Sequence, residues 1–269
     1  MSLTRWTTLP DLAASVPDGS LLAPGGFMLG RAPMALVFEL IRQGRRNLGI
    51  LSLPNPLPAE MLVAAGAVTR VEFAFSALTL GGRLRPMPCL KAAIEAGTIA
   101  WAEMDGYRVV QRLRASAMGL PFLPAPDADQ SELAFAHPPA VVIDPFTGNS
   151  VPVERAVAPD VALLHAQAAD AAGNLFFEDP TTDLLIAGAA RRVLATADRR
   201  VDRLPRVSLP AFQVEAVAEV WGGALPTGSA GLYPHDEADL MEYFALAAAG
   251  NAAQYLARHT GVAAARDAA

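Results

Sequence analysis

Short β-rich apolar runs alternate with longer amphipathic stretches along most of this 269-residue chain, and that alternation limits the fold more than any other feature. It is the pattern of βα units around a mainly parallel sheet. Strands are predicted near Leu21-Ala23, Leu48-Leu53, Val71-Phe75, Ile99-Glu103, Val141-Ile143, Val161-His165, Val193-Thr196 and Val214-Val220. Between them, Pro33 can open a helix whose Val37, Leu40 and Ile41 share one face before Gly44 stops it. The segments Ala59-Ala65, Leu90-Ala96 and Tyr107-Met118 end the same way, at Gly66, Gly97 and Gly119. The reading is therefore an α/β fold with an open, mainly parallel sheet flanked by helices, in one domain spanning residues 1–269.

After Gly119 the rhythm breaks. Five prolines (121, 124, 126, 138 and 139) and acidic Asp127 and Asp129 mark an irregular excursion, a kind of segment that in compact domains is usually functional or interface-forming. The turn-rich Asp144-Pro145-Phe146-Thr147-Gly148-Asn149 then joins Val141-Ile143 to Val151-Ala156 as an antiparallel hairpin. Leu240, Tyr243, Phe244 and Leu256 place one or two final helices in the stretch from Asp236 to Arg258.

Composition excludes several functions. The net charge is −6 and the 21 basic residues are scattered, which argues against a nucleic-acid surface. Cys89 is the lone cysteine, and His137, His165, His235 and His259 lack metal-ligand spacing, so a reducing cytoplasm and no structural metal are expected. The first 18 residues have no signal-peptide core, and no apolar run reaches the roughly 20 residues a membrane span needs.

The chemistry concentrates in Asp18-Gly19-Ser20-Leu21-Leu22-Ala23-Pro24-Gly25-Gly26-Phe27, a turn, a short strand and a glycine loop, followed by a helix start at Pro33. Such a loop at the carboxyl end of a parallel strand can bring backbone N–H groups to an anion or a thioester oxygen; a tight turn and nothing more is the competing reading. If the loop approaches a ligand, Gly26→Val should impair activity more than folding. His165, read as ending its strand before Gln167 and the Asp170…Gly173-Asn174 turn, is either a ligand-edge base or a buried structural histidine. Ser76, Gly81-Gly82-Arg83 and Arg85 lie after the strand Val71-Phe75, where an arginine fork could hold a carboxylate.

Asp-Gly, five mostly apolar residues, Gly-Gly-Phe and a proline six residues on resemble the signature of A-type subunits of family I coenzyme A transferases. The continuation Arg31-Ala32-Pro33, Val37-Phe38-Glu39, Arg42-Gln43-Gly44 is similar to the glutaconate branch. So are Gly119-Leu120-Pro121-Phe122, Asp144-Pro145-Phe146, Asp160 to Gln167, Gly173-Asn174, Gly222-Gly223-Ala224-Leu225-Pro226 and Gly231-Leu232-Tyr233. The chain departs from relatives at Pro24, at Leu225 where His is common, and at Asp198-Arg199 where paired glutamates are usual.

The resemblance implies a heterotetramer or larger assembly with a B-type subunit, coenzyme A or acyl-CoA as substrate, and no permanently bound cofactor. It makes Gly25, Gly26, Phe27, Arg31, Ser76, Arg85, His165, Gln167 and Asn174 the candidate CoA- and substrate-binding residues. In this family a glutamate followed by Asn-Gly or Ser-Gly, in the B-type half, attacks the thioester. None of the glutamates here begins such a pair, so the nucleophile is expected on the partner. A second branch of the same fold catalyses hydrolytic C–C ring opening of steroid-derived CoA thioesters with an acidic residue of its A-type chain; the resemblance places that residue at Gly106, beside Glu103 and Asp105.

Overall fold

The computed structural model describes residues 4–125 and 132–261; Pro126, Asp127 and Asp129 of the proline-rich excursion lie outside them. The first half of the chain runs β1 (Arg5–Trp6), α1 (Leu9–Ala14), β2 (Leu21–Pro24), α2 (Met34–Arg42), β3 (Leu48–Ser52), α3 (Pro56–Ala64), β4 (Val68–Phe73), β5 (Ala77–Leu80), β6 (Arg83–Pro86), α4 (Pro88–Glu95), β7 (Ala100–Glu103) and α5 (Gly106–Ala117). The second half continues through β8 (Phe122–Pro124), α6 (Leu133–Ala136), β9 (Ala140–Ile143), β10 (Ser150–Arg155), β11 (Val161–Asp170), β12 (Leu175–Phe176), α7 (Asp183–Ala189), β13 (Arg192–Val201), β14 (Ala216–Glu219), α8 (Glu237–Ala248) and α9 (Ala252–Thr260).

The main sheet has the order β1-β14-β13-β11-β2-β3-β4-β7, with every neighbouring pair parallel and β12 folded back antiparallel on β11. Alternation along each strand sends side chains to two cores. Leu22, Leu163 and Leu194 pack with α1, α2, α3, α8 and α9, while Ala23, Leu164 and Ala195 pack with α5 and α7. This is the open parallel sheet expected from the sequence, and Gly44, Gly66, Gly97 and Gly119 all carry the positive φ of helix stops. No helix among the described residues is long and apolar enough to cross a membrane.

Three features depart from the sequence reading. Residues 77–86 form the β5–β6 hairpin rather than a simple strand-end loop. α7 follows β12, a helix too short at seven residues to announce itself by periodicity. β11 runs ten residues to Asp170, so His165 lies inside the strand instead of ending it. Its polar residues are tolerated there because the register sets His165 opposite Thr196 on β13.

A buried carboxylate ties the helical layer together. Glu60 on α3 is 0% exposed and accepts hydrogen bonds from Cys89 N and Leu90 N, both at 2.8 Å, at the start of α4. It also accepts one from the Tyr243 hydroxyl of α8. Burial pushes the Glu60 pKa up against the pull of these donors. Glu60→Ala would leave three buried donors unpaired, and urea denaturation of the variant is expected to show a loss of roughly 3 kcal/mol; a loss below about 1 kcal/mol would refute the anchoring role.

Candidate functional site

The carboxyl ends of β2, β3, β4 and β7 open onto one edge of the sheet, where parallel α/β folds place their ligand loops. The loop after β2 is held from within. Asp183 at the start of α7, 0% exposed, accepts from Gly26 N at 3.0 Å. Thr182 Oγ1 donates to Gly26 O at 3.1 Å, and Asn55 Nδ2 donates to Gly25 O. Gly25 N reaches Leu163 O, Phe27 N reaches Gly30 O and Met28 N reaches Pro54 O, at 2.8, 2.9 and 2.8 Å. The backbone N–H groups of Gly25, Gly26 and Phe27, expected from the sequence to face a ligand, are thus paired within the chain.

Arg31 is the centre of this knot. It is 1% exposed, and all five guanidinium N–H groups are used. Nε meets Asp179 Oδ1 at 2.6 Å, Nη1 meets His165 O at 3.1 Å and Asp183 Oδ1 at 3.2 Å, and Nη2 meets Asp179 O and Asp183 Oδ2, both at 2.8 Å. Phe177 lies under the guanidinium at 4.9 Å. Burial opposes the charge, but Asp183 and Asp179 outweigh it and raise the Arg31 pKa. Arg31 therefore braces the loop through Asp179 and Asp183, partners that periodicity could not have supplied because they lie about 150 residues away in sequence.

The loop after β14 is zipped to the glycine loop. Arg31 N donates to Gly228 O at 2.7 Å, Gly228 N to Leu29 O at 2.8 Å and Ala35 N to Gly223 O at 2.9 Å. Below it lies a polar network around His165, which is 0% exposed. His165 Nδ1 sits 2.8 Å from Thr196 Oγ1 and Nε2 sits 3.0 Å from Asp198 Oδ2. Asp198 also accepts from Ser229 Oγ, Tyr233 OH and Gly222 N at 2.9, 2.8 and 2.9 Å. Burial alone would raise the Asp198 pKa, but the hydrogen bonds from His165, Tyr233 and Ser229 outweigh it and hold it below the ordinary carboxylate value. His165 is buried, and both of its ring nitrogens are paired within the chain.

Gln167 and Asn174 are also paired within the chain. Gln167 Oε1 accepts from Glu178 N at 3.2 Å and its Nε2 lies 3.4 Å from Ala230 O. Asn174 clamps the β11–β12 turn through Asp170 Oδ2 at 2.8 Å and Ala211 N at 2.7 Å. Asp105 accepts from Arg108 N at 2.9 Å as the cap of α5.

Donors remain on the hairpin side. Ser76 follows β4 and uses its carbonyl to close the hairpin base with Met87 N at 2.9 Å, while its hydroxyl has no partner among the described residues. Arg85 spends Nε on Leu80 O at 3.3 Å, and both Nη groups are unpaired among the described residues. Arg85 lines a cleft of about 460 Å³ with Leu84, Pro86, Met241 and Phe244. The Phe27 ring is 43% exposed beside the glycine loop. Phe27, Ser76 and Arg85 are thus the sequence-predicted residues that still offer a ligand a surface.

A family model described as coenzyme A transferase matches residues 7–219. The chain is 32% identical to the A-type chain of 3-oxoadipate CoA-transferase from Pseudomonas knackmussii, over 82% of this chain and 80% of that one. It spans only 53% of the length of an Archaeoglobus fulgidus relative to which it is 33% identical over 86% of this chain. The structure superposes on glutaconate coenzyme A-transferase from Acidaminococcus fermentans with TM-score 0.82 at 27% identity, covering 91% of this chain and 84% of that one. It superposes on a cysteine-to-serine variant of the decarboxylase AibA/AibB with TM-score 0.95 at 63% identity, covering 97% of this chain and all of that one.

Two expectations follow from the geometry. Gly26 has φ +81°, and a Cβ there would lie 2.5 Å from Gly30 O and 2.6 Å from Arg31 O; Gly26→Val is now expected to lower melting temperature and activity together, and an unchanged melting temperature would restore the ligand-contact reading. Because the folded pKa of Asp198 is depressed, its contribution to stability is complete above the ordinary value of 3.8 and is lost as pH falls below it. The stability gap between wild type and Asp198→Asn should therefore be widest near neutral pH and narrow below pH 3.8; a gap that widens on acidification, measured by denaturant titration across pH, would contradict this.

Proposed function

The chain belongs to the coenzyme A transferase family, and from that premise we propose that it is the A-type half of a heteromeric enzyme whose reacting group is supplied by a B-type partner. Its family activity is the movement of CoA between an acyl-CoA and a free carboxylic acid through a glutamyl-CoA thioester on that partner. The observation that carries this reading is in the sequence: none of the chain's glutamates is followed by Asn-Gly or Ser-Gly. The unpaired Ser76 hydroxyl and Arg85 Nη groups at the sheet edge support a binding role, since an arginine fork suits a substrate carboxylate.

A second reading rests on one specific observation. Identity to the decarboxylase AibA/AibB chain is 63%, about twice that to the transferase chain of Pseudomonas knackmussii. It favours a carboxylated acyl-CoA that loses CO₂, the same two substrate groups, carboxylate and thioester, being held by the same edge of this chain. Decarboxylation is the reaction to test first. In both readings this chain binds and orients, and the partner decides the chemistry.

Co-expression with the B-type partner separates them. The purified complex is to be assayed for CoA exchange from an acyl-CoA to acetate and for CO₂ release from a carboxylated acyl-CoA. A partner carrying Glu-Asn-Gly or Glu-Ser-Gly should give exchange, and one without that glutamate should give CO₂. The chain alone is expected to give neither; turnover by the single chain in either assay would sink the proposal.

A further inference from the structure

The β9–β10 hairpin is built as an arm. Its base is tied to α5 in a fixed direction: Val157 N donates to Arg112 O at 3.1 Å, and three residues earlier Glu154 meets Arg108 in a buried ion pair at 2.5 Å. Moving back along β10 is therefore moving toward the N-terminus of α5, which follows the carboxyl end of β7. The four further extended residues to Ser150 carry the turn about 13 Å beyond Glu154 at ~3.3 Å per residue. The arm thus extends past the helix start, at the edge of the sheet onto which Ser76 opens.

Among the described residues, one face of this arm is left uncovered. In the antiparallel register Val141 is opposite Pro152 and Ile143 is opposite Ser150, so both share the face of Glu154, the face that α5 covers near the base. Farther out that face is bare: Val141 is 58% and Ile143 64% exposed. At the tip Phe146 is 94% exposed, although its turn is firmly made. Asp144 accepts from Phe146 N at 2.9 Å and from Thr147 Oγ1 at 2.6 Å, and Asp144 N donates to Asn149 O at 2.9 Å. An ordered turn that displays a phenylalanine to water, backed by two aliphatic side chains on an uncovered face, has the composition of a buried interface anchor.

We propose that this arm clasps the B-type partner subunit, with Phe146 seated in an apolar pocket of the partner and Val141 and Ile143 packed against its surface. The inference rests on the heteromeric reading above, and location selects the occupant. A partner that brings the reacting group must sit at the carboxyl edge of the sheet, which is where the arm reaches. The charges along the arm do not compete with this contact: Glu154 is spent on Arg108, Asp144 on its own turn, and Arg155 lies at the base on the opposite face from Glu154.

The test compares wild type, Phe146→Asp and Phe146→Leu, each co-expressed and titrated with the B-type chain. Phe146→Asp should weaken the Kd for the partner at least tenfold, leave the melting temperature of this chain alone unchanged, and regain wild-type kcat once the partner saturates. Phe146→Leu should bind within about threefold of wild type. Equal partner affinity for wild type and Phe146→Asp would overturn the arm while leaving the heteromer intact. Loss of self-association by the isolated chain with partner affinity unchanged would likewise overturn it, in favour of a contact between copies of this chain. Failure of the wild-type chain to bind any B-type chain would overturn both the arm and the heteromeric reading.

Discussion

A guanidinium sealed inside a protein is tolerable only when each of its N–H groups finds an acceptor and its charge a counter-charge. Arg31 meets that condition with Asp183, Asp179 and two backbone carbonyls, and much of the candidate site depends on the arrangement. Asp183 can hold Gly26 N only because it is itself fixed against Arg31. The glycine loop can then lie flat against the loop after β14, which is zipped to it through Gly228 and Gly223. Removing one partner of such a pair typically costs about 3–5 kcal/mol, because the remaining charge stays buried and alone.

That construction changes what the glycine loop is for. Glycines at the end of a parallel strand invite an anion-binding interpretation, but here the smallness of Gly25 and Gly26 lets Asp183, Leu164 and the backbone of Gly30 and Arg31 approach too closely for any Cβ. The loop is a rigid floor. The Phe27 ring beside it is exposed, and unpaired donors among the described residues lie farther off, on Ser76 after β4 and on Arg85 of the β5–β6 hairpin. The His165–Asp198 network serves the same end from the other side, fixing the loop that carries Ser229 and Tyr233 through groups withdrawn from solvent.

A tightly paired floor fits the proposed role of holding a thioester substrate while another chain reacts with it. The same floor can serve CoA transfer or decarboxylation, since both begin with a carboxylate and a CoA thioester held in fixed relation. The relatives of the fold include proteins named for each of these reactions, and the arm from Ala140 to Arg155 is where we propose that a second chain attaches.

The sequence by itself determined the parallel sheet, the helix stops at Gly44, Gly66, Gly97 and Gly119, the antiparallel hairpin and the family, because each is written in short-range periodicity or in the order of local motifs. It also shows that none of the chain's glutamates is followed by Asn-Gly or Ser-Gly. Tertiary structure alone decided which polar residues were available to a ligand. Arg31, His165, Gln167 and Asn174 look like site residues by type and position, yet each is consumed by a partner far along the chain or across a turn. Burial and pairing depend on contacts between residues such as Arg31 and Asp183, 152 positions apart, and no local pattern encodes those distances.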